Sequence, residues 1–534
     1  MAIDTQHPDY RRWLPEWQRM RNVLAGQSSM RLAAEEYLRR PMGMTDDTEW
    51  KRYVEATPFF EASTRTLEGL AGLAFYRDPQ FDLPESMKPF LADATGDGVP
   101  FQQFVEKVFE EVLAVARVGV MVEMPVADPT IRTLRDQERS GRRPFLRRYN
   151  AETVFNWATS EVNGSIQLTE VRLAEIETEK VGEWDTRHRR RIRVLQLDKL
   201  VNNVTVQPTV SWQYRQRIFV HKDWINDEDG VVEGSAVTGA PAQTTTVEAA
   251  AAWSELDPIV PKMDGNALAY IPFWIINPSD QSADVVRPPL LGLANININH
   301  FNTSAALENA LFWSGNPQPY IAGLDPDGAE TFTVGSSEAW IFKDANTKVD
   351  FLSFSADGLA SLEKRLDRLE QHMAILGAKM LSPDKAGVEA AETARIHRQG
   401  EISVLASICG SVSRSMTDVA AVATKWDGKD SANVLVKIFT AFYDQTISAE
   451  DALSYMKLWQ AGVIDIHDLL ALLKKGQIVE GSKTIEDIAA NNQSSPVQPI
   501  MAGLTSGTGT TVPPRAPTAP PAPRAPTPPP APAA

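Results

Sequence analysis

Apolar residues recur every three or four positions in several long stretches of the chain and at every second position in shorter ones. Over 57–77 the helical spacing runs through Phe60, Thr64, Leu67, Leu70, Leu73 and Ala74. Thr57-Pro58 reads there as N-cap and first helical residue, and Asp78-Pro79 as the stop. Residues 100–117 repeat the pattern through Phe101, Phe104, Val105, Val108, Val112 and Val115, and Gly119–Met124 then reads as a short buried strand closed by Pro125. Strand-like runs follow at 153–157, 166–173, 192–197, 210–214 and 271–276, with turn signals such as Asn163-Gly164 and Asp229-Gly230 between them. Together these predict one mixed α/β domain over 51–289, behind an N-terminal helical arm at 1–50. The arm's basic patch at 11–21 (RRWLPEWQRMR) is expected to be a solvated helix face with its aromatics turned inward.

Pro288-Pro289 opens a stretch with almost no charge before Glu308. Its run Asn295–Asn299 alternates polar and apolar as a strand would, but the length and the Ser314-Gly315-Asn316-Pro317 stop predict a helix over 290–314. Residues 315–355 read as a small insertion of strands and turns, with β-prone runs at 318–321, 331–334, 339–342 and 349–354. The clearest helix covers 356–381. Leu359, Leu362, Leu366, Leu369, Met373, Leu376 and Met380 form a heptad seam, and Glu363, Lys364, Arg365, Asp367, Arg368 and Glu370 occupy the other faces. A Pro/Gly-containing breaker at 382–388 separates it from a second long helix at 389–427, striped by Ile402, Leu405, Cys409, Val412, Met416, Val419, Ala423 and Trp426. Gly400 and Gly410, each costing about 1 kcal/mol relative to alanine, mark a kink or a close approach. Spacing alone favours core contacts within the chain for both stripes. Residues 428–495 read as helical, and the Pro/Ala-rich tail at 496–534 as disordered or polyproline-like.

The length of 534 residues suggests two to four packing units, and a hydrophobic content of 43% is ample for a core. The formal charge of −16 argues against a protein that grips nucleic acid over its whole surface, because phosphate neutralisation supplies most non-specific affinity. It suits ordinary solubility, and equally a surface past which DNA slides without sticking. The single cysteine, Cys409, leaves no intrachain disulfide and fits a reducing cytosol. Neither a signal peptide nor a transmembrane helix is expected.

Signals for chemistry are weak. Residues 476–484 (GQIVEGSKT) miss a phosphate-binding loop because Ser482 separates the second glycine from Lys483, and the residues before them look helical rather than extended. The acidic runs at 227–230 and 325–328 lack the first and twelfth ligands of a calcium loop and read as turns. The seven histidines are scattered without ligand spacing. The basic run Arg187-His188-Arg189-Arg190-Arg191 reads as a solvated hairpin edge. No catalytic residue, metal ligand or cofactor is expected, and the chain is not expected to be an enzyme.

The order of these elements resembles tailed-bacteriophage portal proteins. So does the wording of His7–Tyr10, PFFEASTRTLEGLAGLAFYRDP (58–79), EVLAVARVGVMVEMP (111–125), NAETVFNW (150–157), RPPLLGLANININHF (287–301), LEKRLDRLEQHMAILGAKML (362–381) and AAETARIHRQGEISVLASI (390–408). The likeness covers about 7–490 and is spread over it. It implies an α+β, predominantly helical chain of portal type: an α/β wing (51–289), a first stem helix (290–314), a β-rich clip (315–355), a second stem helix (356–381), a tunnel loop (382–388), a long tunnel helix (389–427) and a helical crown (428–495). It implies a homo-oligomeric ring of about twelve copies at one capsid vertex of the virion, assembled in the host cytoplasm. Double-stranded DNA would pass through the ring, and the large terminase, a head–tail adaptor and a capsid or scaffold protein would dock on it. It turns the heptad stripes toward contacts between ring neighbours and brings Lys379, Asp384 and Lys385 near the DNA. An acidic tunnel would discourage tight binding. Three other readings compete. A neck or minor capsid protein would lack the helix–clip–helix–loop–helix order, and a nucleotide-dependent DNA enzyme would need a phosphate loop or carboxylate cluster. A bare coiled-coil scaffold is opposed by the strand-rich 119–276.

Overall fold

The computed structural model describes residues 2–125, 142–202, 209–225, 252–263, 265–315, 318–322, 348–352, 358–377, 391–440 and 457. By internal contacts the chain divides into Met1–Phe442 and Tyr443–Ala534, and all described residues but Lys457 belong to the first unit. The sequence features at 227–230, 325–328, 331–334, 339–342 and 476–484, and the expected crown and tail beyond 440, lie outside the described residues.

Helix α1 (Pro8–Leu24) starts with proline at its first position, and the Asp9 N–H donates to His7 Nδ1 at 3.2 Å. Tyr10, Trp17, Met20 and Val23 are fully buried along one stripe while Arg11 and Arg12 stay exposed, the inward-aromatic arrangement expected of the basic patch. Short helices α2 (Gln27–Leu32) and α3 (Ala34–Tyr37) follow, then α4 (Asp47–Ala56), capped by the Asp46 carboxylate. Helix α5 covers Ala62–Ala74 and not 57–77. Thr57 ends α4 instead of opening α5: its hydroxyl donates to the Tyr53 carbonyl at 2.7 Å. Strand β1 (Gln80–Asp82) and helix α6 (Lys88–Ala92) lead to α7 (Phe101–Val115), whose inward face is wholly apolar apart from Glu111.

Two antiparallel sheets follow. In the first, β2 (Val118–Glu123) lies between β3 (Phe145–Asn150) and β11 (Phe273–Ile276). Gly119 is required there, because a Cβ would overlap the Phe273 ring. The second runs β4 (Val154–Val162), β5 (Ser165–Val181), β6 (Asp185–Asn202), β7 (Thr209–His221) and β8 (Trp253–Glu255) in chain order. Asn163 and Gly164 both have positive φ in the β4–β5 turn, as the Asn-Gly signal predicts. A two-residue pair, β9 (Lys262–Met263) and β10 (Asn266–Ala267), precedes β11.

Strands β5 and β6 are about two and three times as long as the strand-like runs at 166–173 and 192–197. Their outer halves are joined by charge, with Glu175, Glu177 and Glu179 standing directly opposite Arg191, Arg189 and Arg187. The three ion pairs measure 2.9, 2.5 and 2.9 Å. Trp224 lies against the ladder, 3.8 Å from the Arg187 guanidinium. The basic run is therefore a hairpin edge neutralised strand to strand.

Helices α8 (Leu291–Gly315) and α9 (Leu359–Ile375) flank a strand pair, β12 (Gln318–Ala322) with β13 (Lys348–Leu352). Helix α10 (Ala391–Trp426) crosses the unit against α7, β2 and β11, and ends near β14 (Leu435–Lys437), which pairs back onto β1. Its stripe from Leu405 through Cys409, Val412, Met416, Val419 and Ala423 is buried in this chain's own core. The resemblance turned this stripe outward to ring neighbours, and the structure corrects that expectation in favour of the spacing. No atom approaches the place of a Cβ at Gly410, so that glycine marks no close approach. One core cluster joins α1, α5, α7, both sheets, α8 and α10.

Candidate functional site

The α8–α9 hairpin holds the features that the sequence marks as functional. As far as Ala305, helix α8 has no single amphipathic face, because it is packed on more than one side. Asn295 and Asn302 lie about 20° apart around its axis, and Asn297 sits on the opposite side. Asn295 accepts from Arg19 of α1 at 3.4 Å. Asn302 donates to the Tyr37 carbonyl at 2.7 Å and accepts from the Arg39 N–H at 3.0 Å. Asn297 is fully buried against α5: its Oδ1 accepts from the Ser63 N–H and hydroxyl at 3.2 and 2.9 Å, and its amide donates to the Phe60 carbonyl at 2.7 Å. The alternation at 295–299 thus serves helices on two sides rather than a strand face.

Beyond Ala305 the helix emerges, and Leu311, Phe312 and Trp313 are exposed. Helix α9 returns antiparallel along it: Leu376 lies beside Gly292 and Glu370 beside His300. Met373 is buried, and Leu359, Leu362, Leu366 and Leu369 are half-buried. Leu376 is the C-cap residue, half-exposed, so the helical part of the seam ends at Met373. The charged residues of α9, Glu363, Lys364, Arg365, Asp367, Arg368 and Glu370, are exposed and balance three against three. Met380 and the three residues expected near DNA, Lys379, Asp384 and Lys385, lie outside the described residues.

One titratable pair links the two helices. The His300 side chain, 8% exposed, places Nε2 3.5 Å from Glu370 Oε1. Its Nδ1 is 3.4 Å from the Ser304 hydroxyl and its ring 5.4 Å from Phe60. Burial pushes the imidazole below its ordinary range, and Glu370 acts in the opposite sense. Among the described residues no group of three or more His, Cys, Asp or Glu is placed to hold a metal ion, and no helix is long and apolar enough to cross a membrane.

A second feature was missed in the sequence. A cleft of about 830 Å3 lies between α7, β3 and the outer half of β5, lined by Lys107, Arg147, Arg148 and Arg191 against Asp97 and Glu175. The only local signal is the Arg147-Arg148 pair inside an otherwise apolar strand.

Residues 289–427 match the family model described as "Domain of unknown function (DUF4055)". That span is less than half of the chain, and it runs from the start of α8 to the end of α10. No curated protein matches the chain. Among solved structures, one chain of "Virion of native gene transfer agent (GTA) particle" is 12% identical with a TM-score of 0.36, covering 83% of this chain and 97% of that one. A chain of "Neck of empty GTA particle computed with C6 symmetry" is 12% identical with a TM-score of 0.34, over 83% and 97%. A chain of "Neck of native GTA particle computed with C12 symmetry" is 11% identical with a TM-score of 0.31, over 84% and 98%. Likeness at these scores carries no inference about this chain.

Proposed function

We propose that the chain is the subunit of a portal ring at one capsid vertex of a phage particle, the channel through which double-stranded DNA is packaged and ejected. What supports the reading is the succession between 291 and 426. A clamped helix emerges into an apolar end, a strand pair follows, an amphipathic helix returns antiparallel, and a long core helix closes the unit. This succession lies within the stretch, about 7–490, over which the sequence resembles portal proteins. In this reading α8 and α9 form the stem and β12–β13 belong to the clip, where the large terminase and later the head–tail adaptor dock. The half-buried leucines of α9, with Leu311, Phe312 and Trp313, meet the neighbouring copy. Lys379, Asp384 and Lys385 approach the DNA, a capsid or scaffold protein meets the wing, and the chain itself carries out no reaction and holds no cofactor.

The test is the mass of the purified protein by light scattering, with negative-stain images of the same sample. The expected result is a ring with a central hole at about twelve times the 58.9 kDa chain. A protein that stays monomeric at high concentration and hydrolyses ATP or cuts DNA overturns the reading.

A further inference from the structure

The cleft between the two sheets is bounded by strand edges. On one side it touches every residue from 146 to 150, and on the other Ala174, Glu175 and Ile176. Successive side chains of a strand point to opposite faces, so a cavity that touches all of them runs along the strand's edge.

The hydrogen bonding agrees. The Val122 N–H donates to Pro272, away from β3, so its partner Leu146 faces away from β2, and the Leu146 N–H does donate outward, to the Ala94 carbonyl at 2.7 Å. Two residues on, Arg148 has the same orientation. Its only hydrogen bond outside the β2–β3 ladder among the described residues is from Nη1 to the Lys107 carbonyl, so its outward N–H and C=O are free. Across the cleft, the pairing of β5 with β4 stops at Leu173, and from Ala174 onward β5 is paired with β6 alone. The Tyr149 hydroxyl donates to Glu175 at 2.7 Å, a side-chain bridge between two strands that do not pair.

The walls are cationic. Four cations and two carboxylates line the cleft. Glu175 is already engaged by Arg191, Arg193 and Tyr149, and Asp97 by the Thr95 hydroxyl. Arg147 is paired with Glu123. Among the described residues Lys107 and Arg148 form no ion pair, although Glu110 lies near both. At about 830 Å3 the cleft is of ligand-binding size.

We propose that this cleft receives an extended acidic segment of a partner polypeptide, added as a strand between β3 and the outer half of β5. Backbone pairing with the two edges supplies affinity, and Lys107 and Arg148 select carboxylates at alternate positions. The added strand would join the three- and five-stranded sheets into one. The proposal does not depend on the portal reading.

The test uses the full chain and fluorescent peptides of about seven residues, a strand's usual length, alternating Val with Glu or Val with Lys, followed by anisotropy. The Val/Glu peptide should bind about tenfold or more tightly than the Val/Lys peptide, and salt should weaken it. The Lys107→Ala/Arg148→Ala double variant should lose about tenfold. Arg148→Pro deletes the outward N–H without touching the β2 ladder and should abolish binding. If that variant fails to fold, backbone N-methylation of the Val/Glu peptide should abolish binding to the unaltered protein instead. Equal affinity for the two peptides, no binding of either, unchanged affinity after both Arg148→Pro and N-methylation, or preference for a single-stranded oligonucleotide overturns the proposal. Tighter binding to the double variant also overturns it, since the cations would then be guarding the edge.

Discussion

Two arginines of this fold, the half-buried Arg21 and the buried Arg117, stand in opposite electrostatic positions. Arg21 faces two carboxylates from distant parts of the chain. Its Nε and Nη2 donate to Glu152 at 2.8 and 3.0 Å, its Nη1 donates to Glu111 at 2.9 Å, and Nη2 also bonds Glu111. Both acids are almost wholly buried. Burial alone would lower the guanidinium's pKa, but hydrogen bonds to the two carboxylates outweigh it and hold the charge firmly. Arg21→Met strands two negative charges in the core and should cost about 3–5 kcal/mol in a urea titration. Arg21→Lys should recover little, since an ammonium cannot fork between four oxygens. Arg117, 1% exposed, has no carboxylate in ion-pair contact among the described residues. It lies 4.0 Å over Trp157 and donates Nη1 to the Ala283 carbonyl, while Nε and Nη2 bond nothing. Burial lowers its pKa to about 9 against the pull of Asp284 and Asp9, so it remains charged at neutral pH at a cost to the fold. Arg117→Met should therefore be far milder than Arg21→Met in the same titration, about neutral by the rule for replacing buried charge with apolar bulk. Asn297→Ala, which leaves the buried Ser63 N–H without its acceptor while the Phe60 carbonyl keeps the Ala62 N–H, should cost about 1–3 kcal/mol.

The α8–α9 hairpin has an acid-sensitive contact built in. His300 titrates lower in the folded chain than in the unfolded one, so between those two values the unfolded state binds more protons and stability rises with pH. Below the folded value the penalty is complete. Urea midpoints should therefore fall between pH 8 and pH 5 by more in the unaltered protein than in His300→Gln; an equal fall would remove His300 as the cause. The hairpin also shows what an apolar period reveals about an element and what it hides. Helix α7 was legible almost to the residue, because its apolar period runs from Phe101 to Val115 without a break. The start of helix α5 was read four residues too early, because Thr57-Pro58 has the local form of a helix start, while Asn297, 234 residues away from Ser63, binds the first turn. The run Arg187–Arg191 of β6 was read as a solvated hairpin edge and the strand-like run of β5 stopped at Leu173, since a Glu–Arg ladder extends a strand pair without any apolar alternation.

At the scale of the whole molecule, the stripe of α10 shows how far pattern reaches. Its period foretold a buried face, and the partner of that face could not be read from the stripe itself, because core and subunit contacts use the same spacing. Contact with α7, β2 and β11 decides it for the residues from Leu405 on. The seam of α9 is different in degree: α8 covers it only partly, which leaves apolar surface where the proposed ring would need it. The same α10 stripe contains Cys409, fully buried, its thiol pushed up to about 12 by burial. The folded chain should show no reaction with an aromatic disulfide reagent at pH 8, and one equivalent after unfolding in guanidinium. The native protein then behaves as though it had no cysteine, and a cysteine placed at Trp184, 85% exposed at the tip of the β5–β6 arm, would be its single point of attachment for a dye, a spin label or a cross-linker. Distances between copies could be measured from that one position without removing the natural thiol.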